Sequence, residues 1–210
     1  MADWDADSPR LGRNLTQVLQ AVRDSANRRD VPTIEAARQW QWETMAGLDV
    51  PDVKYVGRFR GEQGLETTGV RIGLHEGVPP SKVAEELKAF EQSLRSAVEI
   101  LDARYPKGKE LDEDGLSKVI DLCAWAHAEW VRIHPFANGN GRTARIWANS
   151  LFMRYGVPPV VRLRPRPNAG YGGAGAAAMK GDWRPTAVVF RRMLGTLPSA
   201  PTSASRPKGQ

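Results

Sequence analysis

Residues 134–145 read His-Pro-Phe-Ala-Asn-Gly-Asn-Gly-Arg-Thr-Ala-Arg and bring a histidine, a Gly-x-Gly turn and two arginines within twelve positions. Gly139 and Gly141 let the main chain take positive φ and approach a ligand closely. A helix that starts behind such a turn points its free N–H groups and partial positive charge back into the loop. Arg142 and Arg145, three apart on that helix, can share a face and clamp an anionic tail. His134 opens the same loop, and an imidazole with an ordinary pKa of about 6.5 suits a general base. Each feature is commonplace alone, since a lone histidine is usually structural and paired arginines often only face solvent. Together they predict a phosphate site with a base beside it.

The elements that must position this loop are mostly helical. Leu15, Val18, Leu19 and Val22 recur at helical spacing behind the possible caps Asn14 and Thr16, predicting a helix to about residue 27. A second is expected over 33–45, with Trp40 and Trp42 read as core. Glycines interspersed with β-formers over 55–78 predict a hairpin or flap, clearest as strand over 67–78. Pro79 and Pro80 end it, and Ser81 is expected to cap a helix whose stripe is Val83, Leu87, Phe90, Leu94 and Val98, running to about residue 104. The next helix, about 116–133, carries Val119, Cys123, Ala126 and Trp130 on one face and stops at His134-Pro135. The pattern resumes with Ala144, Trp147, Ala148 and Leu151 as far as Gly156, and two weaker helices are expected over 174–180 and 183–194. The fold class is therefore mainly α with a small β-hairpin. Both ends, residues 1–13 and 197–210, are expected to be loose.

Composition narrows the partners. The 210 residues carry 30 Lys plus Arg against 24 Asp plus Glu, a net charge of +6. This basic balance invites nucleic acid, yet the cations are spread along the chain, without a basic tract or an aromatic ladder, so a nucleic-acid role is disfavoured. No apolar run reaches the roughly 18 residues of a membrane helix, and the start of the chain is acidic where a secretory leader is basic, so a cytoplasmic protein without membrane contact is expected. One cysteine, Cys123, excludes an internal disulfide and any Cys-x-x-Cys site, and is read as a buried hydrophobe. The Arg excess leaves a small anionic ligand open.

The run at 134–145 resembles the signature of Fic-domain proteins, His-Pro-Phe-x-Asp/Glu-Gly-Asn-Gly-Arg-x-x-Arg, and matches it at every specified position except Asn138. The resemblance extends to Gly57-Arg58-Phe59-Arg60, Arg71-Ile72-Gly73, Pro79-Pro80 and His127, with a weaker match over Arg154 to Pro159. It implies a Fic-type helical core over 33–196, preceded by a tail and helix over 1–32 and followed by a tail over 197–210. The implied activity is AMP transfer from ATP to a Ser, Thr or Tyr hydroxyl of a target protein. By that similarity His134 deprotonates the hydroxyl, Gly139, Asn140 and Gly141 form an anion hole, Arg142 and Arg145 hold the outer phosphates, and Phe136 anchors the loop. The flap, with Val70, Arg71, Ile72, Gly73 and Leu74, docks the target by strand addition. The resemblance also leaves room for a phosphate-transferring relative of the fold or a non-catalytic nucleotide binder.

Two departures bear on these expectations. Asn138 stands where the family's acid ligates Mg²⁺; an amide oxygen keeps a possible ligand but loses a charge worth about 4 kcal/mol at ~4 Å and an effective dielectric of ~20. The expected cofactors are thus ATP as substrate and Mg²⁺ at an unusually high concentration. The family's inhibitory pattern, Ser/Thr-x-x-x-Glu-Gly/Asn, is approached only by Ser81 to Glu86, which favours a separate antitoxin-like inhibitor of a toxin-antitoxin pair. Two other motifs are weaker. Gly170 to Gly175 spells Gly-x-Gly-x-x-Gly, but prolines precede it and no acid lies beyond Asp182, so it is read as non-Rossmann, with Tyr171 a candidate for adenine-side contact. His127 is read as a core histidine rather than a zinc ligand.

Overall fold

A computed structural model describes Trp4, residues 8–168 and residues 170–196; the expected C-terminal tail lies outside the described residues. Seven helices and one hairpin follow in the order α1 (Pro9–Arg28), α2 (Ile34–Met45), β1 (Arg71–Ile72), β2 (His75–Glu76), α3 (Val83–Arg104), α4 (Glu113–Ile133), α5 (Asn140–Arg154), α6 (Tyr171–Ala178) and α7 (Arg184–Gly195). The class is mainly α, as expected. Helices α4 and α5, joined by the loop of interest, form the central pair; α1 and α2 cover α5, while α3, α6 and α7 cover α4.

Helix α1 begins earlier than its apolar stripe suggests. Ser8 Oγ accepts from Leu11 N and Pro9 occupies the first turn, where its missing N–H costs nothing. Residues 9–13 are therefore helical, and Leu11 is fully buried with Val18 and Val22. Asn14 is not a cap; its amide donates to the carbonyls of Thr44 and Ala46 and ties α1 to the end of α2. Thr33 caps α2 through Ala36 N, and Asp112 caps α4 through Gly115 N, so that α4 starts at Glu113, three residues before the expected 116. Ser81 lies within a short 3₁₀ turn, Pro80–Lys82, and makes no capping bond.

The glycine-rich stretch is only in part a hairpin. Strands β1 and β2 pair antiparallel as Arg71 with Glu76 and Ile72 with His75, and Gly77 N extends the ladder to Val70 O. Between 55 and 66 the chain instead makes tight turns, with Gly57, Gly61 and Gly64 all at positive φ. A Cβ on Gly61 would fall 2.2 Å from the Pro80 carbonyl oxygen, which excludes an ordinary strand residue there.

At the centre lies an aromatic cluster. Trp130 of α4, Trp147 of α5, Trp40 of α2, Phe90 of α3, Phe59 and Phe136 meet largely edge to face, as at 4.7 Å between Trp40 and Trp147. Trp42 is the exception to the core reading of the tryptophans: it is half exposed, lying over Gly57. Cys123 is buried as expected, and burial pushes its thiol pKa up.

Candidate active site

The loop between α4 and α5 is turned at both ends. His134 caps α4 in the left-handed region at φ 53°, and Gly139 begins α5 at φ 91°. No side chain caps α5, so the first main-chain N–H groups of Asn140, Gly141 and Arg142 have no helical partner and face the loop. Phe136 is fully buried, 4.9 Å from Phe59 and 5.9 Å from Trp130, and so roots the loop in the core.

Asn140 secures the loop from within. Its Oδ1 accepts from Phe136 N and its Nδ2 donates to Phe136 O, both at 2.8 Å. The side chain expected near a phosphate is thus spent on the loop, and Asn140 has its main-chain N–H left to offer. A second brace comes from Gln41 of α2, a residue that no motif or spacing singles out. It is buried, accepts from Gly57 N at 2.5 Å, and donates to Tyr55 O and Asn138 O.

His134 Nδ1 lies 3.0 Å from Val131 O. A carbonyl can only accept, so Nδ1 carries the proton and Nε2 keeps its lone pair. Burial is the main cause that lowers the His134 pKa; the bond to Val131 opposes it, and the positive Arg60 adds a smaller push downward. At neutral pH the imidazole is uncharged and basic at Nε2.

A cavity of about 680 Å³ opens over this loop, within the range of small-molecule sites. It is lined by residues 137–141, His134, Arg145 and His127, by Ile72, Gly73, Leu74 and His75 of the hairpin, and by Tyr171, Gly172 and Gly175 of α6 with Met179 at its end. The charged residues lining it are Arg145 and Arg166, with neither Asp nor Glu among the described lining residues. Such a cavity favours an anion.

The two arginines do not act as one clamp. Arg145 is buried against the cavity, donating to Leu163 O at 3.0 Å and Tyr171 Oη at 3.5 Å. Tyr171 Oη in turn is 2.6 Å from His127 Nε2. Arg145 can only donate, so the Tyr171 hydroxyl hydrogen goes to His127, whose pKa burial, and secondarily Arg145, pushes down to about 3. His127 is the core histidine expected. Arg142 turns to the other side, donating through Nη2 to Asn138 Oδ1 at 2.8 Å and to the Trp4 carbonyl at 2.9 Å.

These contacts also test the site for a metal. Asn138 Oδ1, the one side-chain oxygen expected to serve Mg²⁺, already accepts from a guanidinium. No group of three or more His, Cys, Asp or Glu that could hold a metal ion occurs among the described residues. The chain's own residues therefore do not fit a resident Mg²⁺.

The Fic/DOC family model matches residues 32–152, more than half of the chain. The chain belongs to the Fic/DOC family. This Fic protein is 36% identical over 122 residues, 58% of its length, to protein adenylyltransferase fic-1 of Caenorhabditis elegans, and 35% identical over 105 residues, 50% of its length, to protein adenylyltransferase Fic of Drosophila persimilis. It spans 21% and 16% of those two relatives. Among solved structures, a Fic domain containing signalling protein from Bacteroides thetaiotaomicron superposes with a TM-score of 0.60 at 21% identity, covering 88% of this chain and 68% of that one. Fic-1 of C. elegans gives 0.57 at 26% identity, with 91% and 53% covered. The BepC protein of Bartonella tribocorum, with bound AMPPNP, gives 0.58 at 17%, with 92% and 90% covered. The Fic fold thus agrees with the expectation from sequence. No helix among the described residues is long and apolar enough to cross a membrane.

Proposed function

We propose that this Fic protein is a protein adenylyltransferase that moves AMP from ATP to a side-chain hydroxyl of a target protein. The observation that carries this reading is a neutral histidine with its Nε2 lone pair available, in one cavity with an uncapped helix N-terminus and Arg145 and with neither Asp nor Glu among its described lining residues. The names of its relatives support the same chemistry.

His134 Nε2 takes the proton of the target's Ser, Thr or Tyr hydroxyl, and the hydroxyl oxygen forms a bond to the α-phosphorus. The bond from that phosphorus to the bridging oxygen of the β-phosphate breaks, and pyrophosphate leaves with its electron pair. Main-chain N–H groups at Asn140, Gly141 and Arg142 stabilise charge on the phosphates, and Arg145 holds the leaving end. Arg142 stabilises the loop through Asn138 and reaches the γ-phosphate by exchanging its Trp4 contact. The hairpin, with both two-residue strands open to pairing, takes the target segment by main-chain hydrogen bonds from Val70 to Leu74. Any Mg²⁺ would be bound by the nucleotide's own phosphates, whose charge it would offset, and not by a side chain of this loop. Control is exerted by a separate antitoxin-like partner that places a carboxylate on Arg145; copurification without any such partner counts against it.

The deciding experiment compares α-³²P-ATP with γ-³²P-ATP as donors to lysate proteins over a Mg²⁺ series, for wild type and His134→Ala. Label from the α position that His134→Ala abolishes is expected. Label from the γ position alone refutes AMP transfer in favour of phosphate transfer, and no label at any Mg²⁺ concentration refutes both.

A further inference from the structure

We propose that Arg60 is a positioning residue that locks the hairpin to the general base. Arg60 is 1% exposed, yet the bonds of its guanidinium run to main-chain carbonyls rather than to a carboxylate. Nε donates to His134 O at 2.7 Å, and Nη2 donates to Ile133 O at 3.0 Å and to Val78 O at 2.8 Å. Nη1 donates to Thr68 O at 3.3 Å. Its main-chain N–H donates to Pro135 O at 2.7 Å. One planar fork thus joins two carbonyls at the end of α4 to two others, Thr68 and Val78, that flank β1 and β2.

The carbonyls of Ile133 and His134 are among those an ending helix leaves unpaired, and a cation there also complements the helix dipole. Capping alone does not explain the reach to Thr68 and Val78. Gly77 gives an independent sign of the same coupling. A Cβ at that position would stand 2.9 Å from His134 Cβ, 3.1 Å from Arg60 Nη2 and 2.8 Å from Val70 Cγ2, so the hairpin stem touches the base only because residue 77 lacks a side chain. Burial lowers the Arg60 pKa to about 10, which leaves it charged at neutral pH. Lysine would supply one point charge where the fork supplies directed donors to four carbonyls.

The consequence is geometric. A target hydroxyl held by the hairpin must meet His134 Nε2, and misplacement by about 1 Å costs on the order of 100-fold in rate. Arg60 fixes that distance without touching nucleotide or target.

The proposal rests on the adenylyltransferase reading for its kinetic arm and on the structure alone for a second arm. Arg60→Lys and Gly77→Ala are each made in the full chain. Hydrogen exchange followed by mass spectrometry is expected to rise together in peptides covering 67–78 and 133–137, with the remainder of the chain protected. Initial rates of α-³²P label transfer at saturating ATP are expected to fall at least tenfold, while the ATP concentration for half-maximal rate changes less than twofold. Exchange that rises in 67–78 alone overturns the coupling, as does a labelling rate that falls only in proportion to lost folded protein. If wild type transfers no label, the adenylyltransferase reading fails and the exchange arm still decides the coupling. Gly77→Ala keeps Arg60, so the test survives an Arg60→Lys chain that does not fold.

Discussion

Replacing Asn140 by alanine separates two accounts of the residue. If the Asn140 amide binds phosphate, its loss weakens nucleotide binding and leaves the fold alone. In the structure the amide instead makes two 2.8 Å bonds to the N–H and C=O of Phe136, and both residues are almost fully buried. Alanine strands both main-chain groups where no other described residue replaces them. Leaving a buried donor or acceptor unpaired costs about 1–3 kcal/mol each, so the expected loss is about 2–5 kcal/mol, allowing for one group reaching water. For a chain of this length each kcal/mol lowers Tm by roughly 2–4 °C, which gives a fall on the order of 5–15 °C. Thermal unfolding followed by circular dichroism reads the shift, and activity is then measured well below the new midpoint. Loss of rate at saturating ATP is expected to accompany the fall in Tm, because the loop that carries His134 and Phe136 loosens. An unchanged Tm with a raised KM for ATP would refute the bracing argument and return Asn140 to the phosphate site.

Three other outcomes follow from the same geometry. Asn138→Asp lowers the Mg²⁺ concentration for half-maximal transfer, but by less than the bare charge suggests, because the new carboxylate sits on Arg142 Nη2 where Oδ1 now lies at 2.8 Å; a Mg²⁺ titration of labelling with an unchanged midpoint sinks this account. Arg145→Ala raises the KM for ATP more than Arg142→Ala does, at least tenfold against a few-fold, since Arg145 lines the cavity and Arg142 faces Asn138 and Trp4; equal effects on KM count against the division. Because the His134 pKa is lowered, the base is already deprotonated at pH 7, so log(kcat/KM) is flat around neutrality and falls with unit slope as pH drops through a value below the ordinary 6.5. A pH profile that is still rising through pH 7 contradicts the neutral imidazole.

What could be read from the chain alone followed from local rules. The stop at His134-Pro135 and the glycine turn ahead of α5 are decided by one or two residues each, and the structure keeps both. The early start of α1 is also local, written in Ser8-Pro9, although the apolar stripe beginning at Leu15 points to a later start. Asp112 sets the start of α4 in the same way, ahead of that helix's apolar face. The hairpin is shorter than the glycine spacing suggests because such spacing marks turns and flaps alike; only φ distinguishes the turns at Gly57, Gly61 and Gly64.

The site itself divides along the same line. Spacing places Arg142 and Arg145 about 60° apart around a helix of 3.6 residues per turn, which reads as a shared face. Long side chains end where their partners are, however, and those partners come from remote segments: Trp4 and Asn138 for Arg142, Leu163 and Tyr171 for Arg145. Gln41 belongs to no motif, and Arg60 lies in the matched Gly57-Arg58-Phe59-Arg60 run without any pattern that shows its role, since both bond carbonyls, and every residue has one. Polar side chains of this kind are found by asking where each buried main-chain group finds its partner. Applied to the 134–139 loop, that question gives Arg60 for His134 O, Gln41 for Asn138 O and Asn140 for both polar groups of Phe136. The 134–145 motif thus specifies the chemistry of the loop, while its shape is held by Asn140 from within and by Gln41 and Arg60 from remote segments.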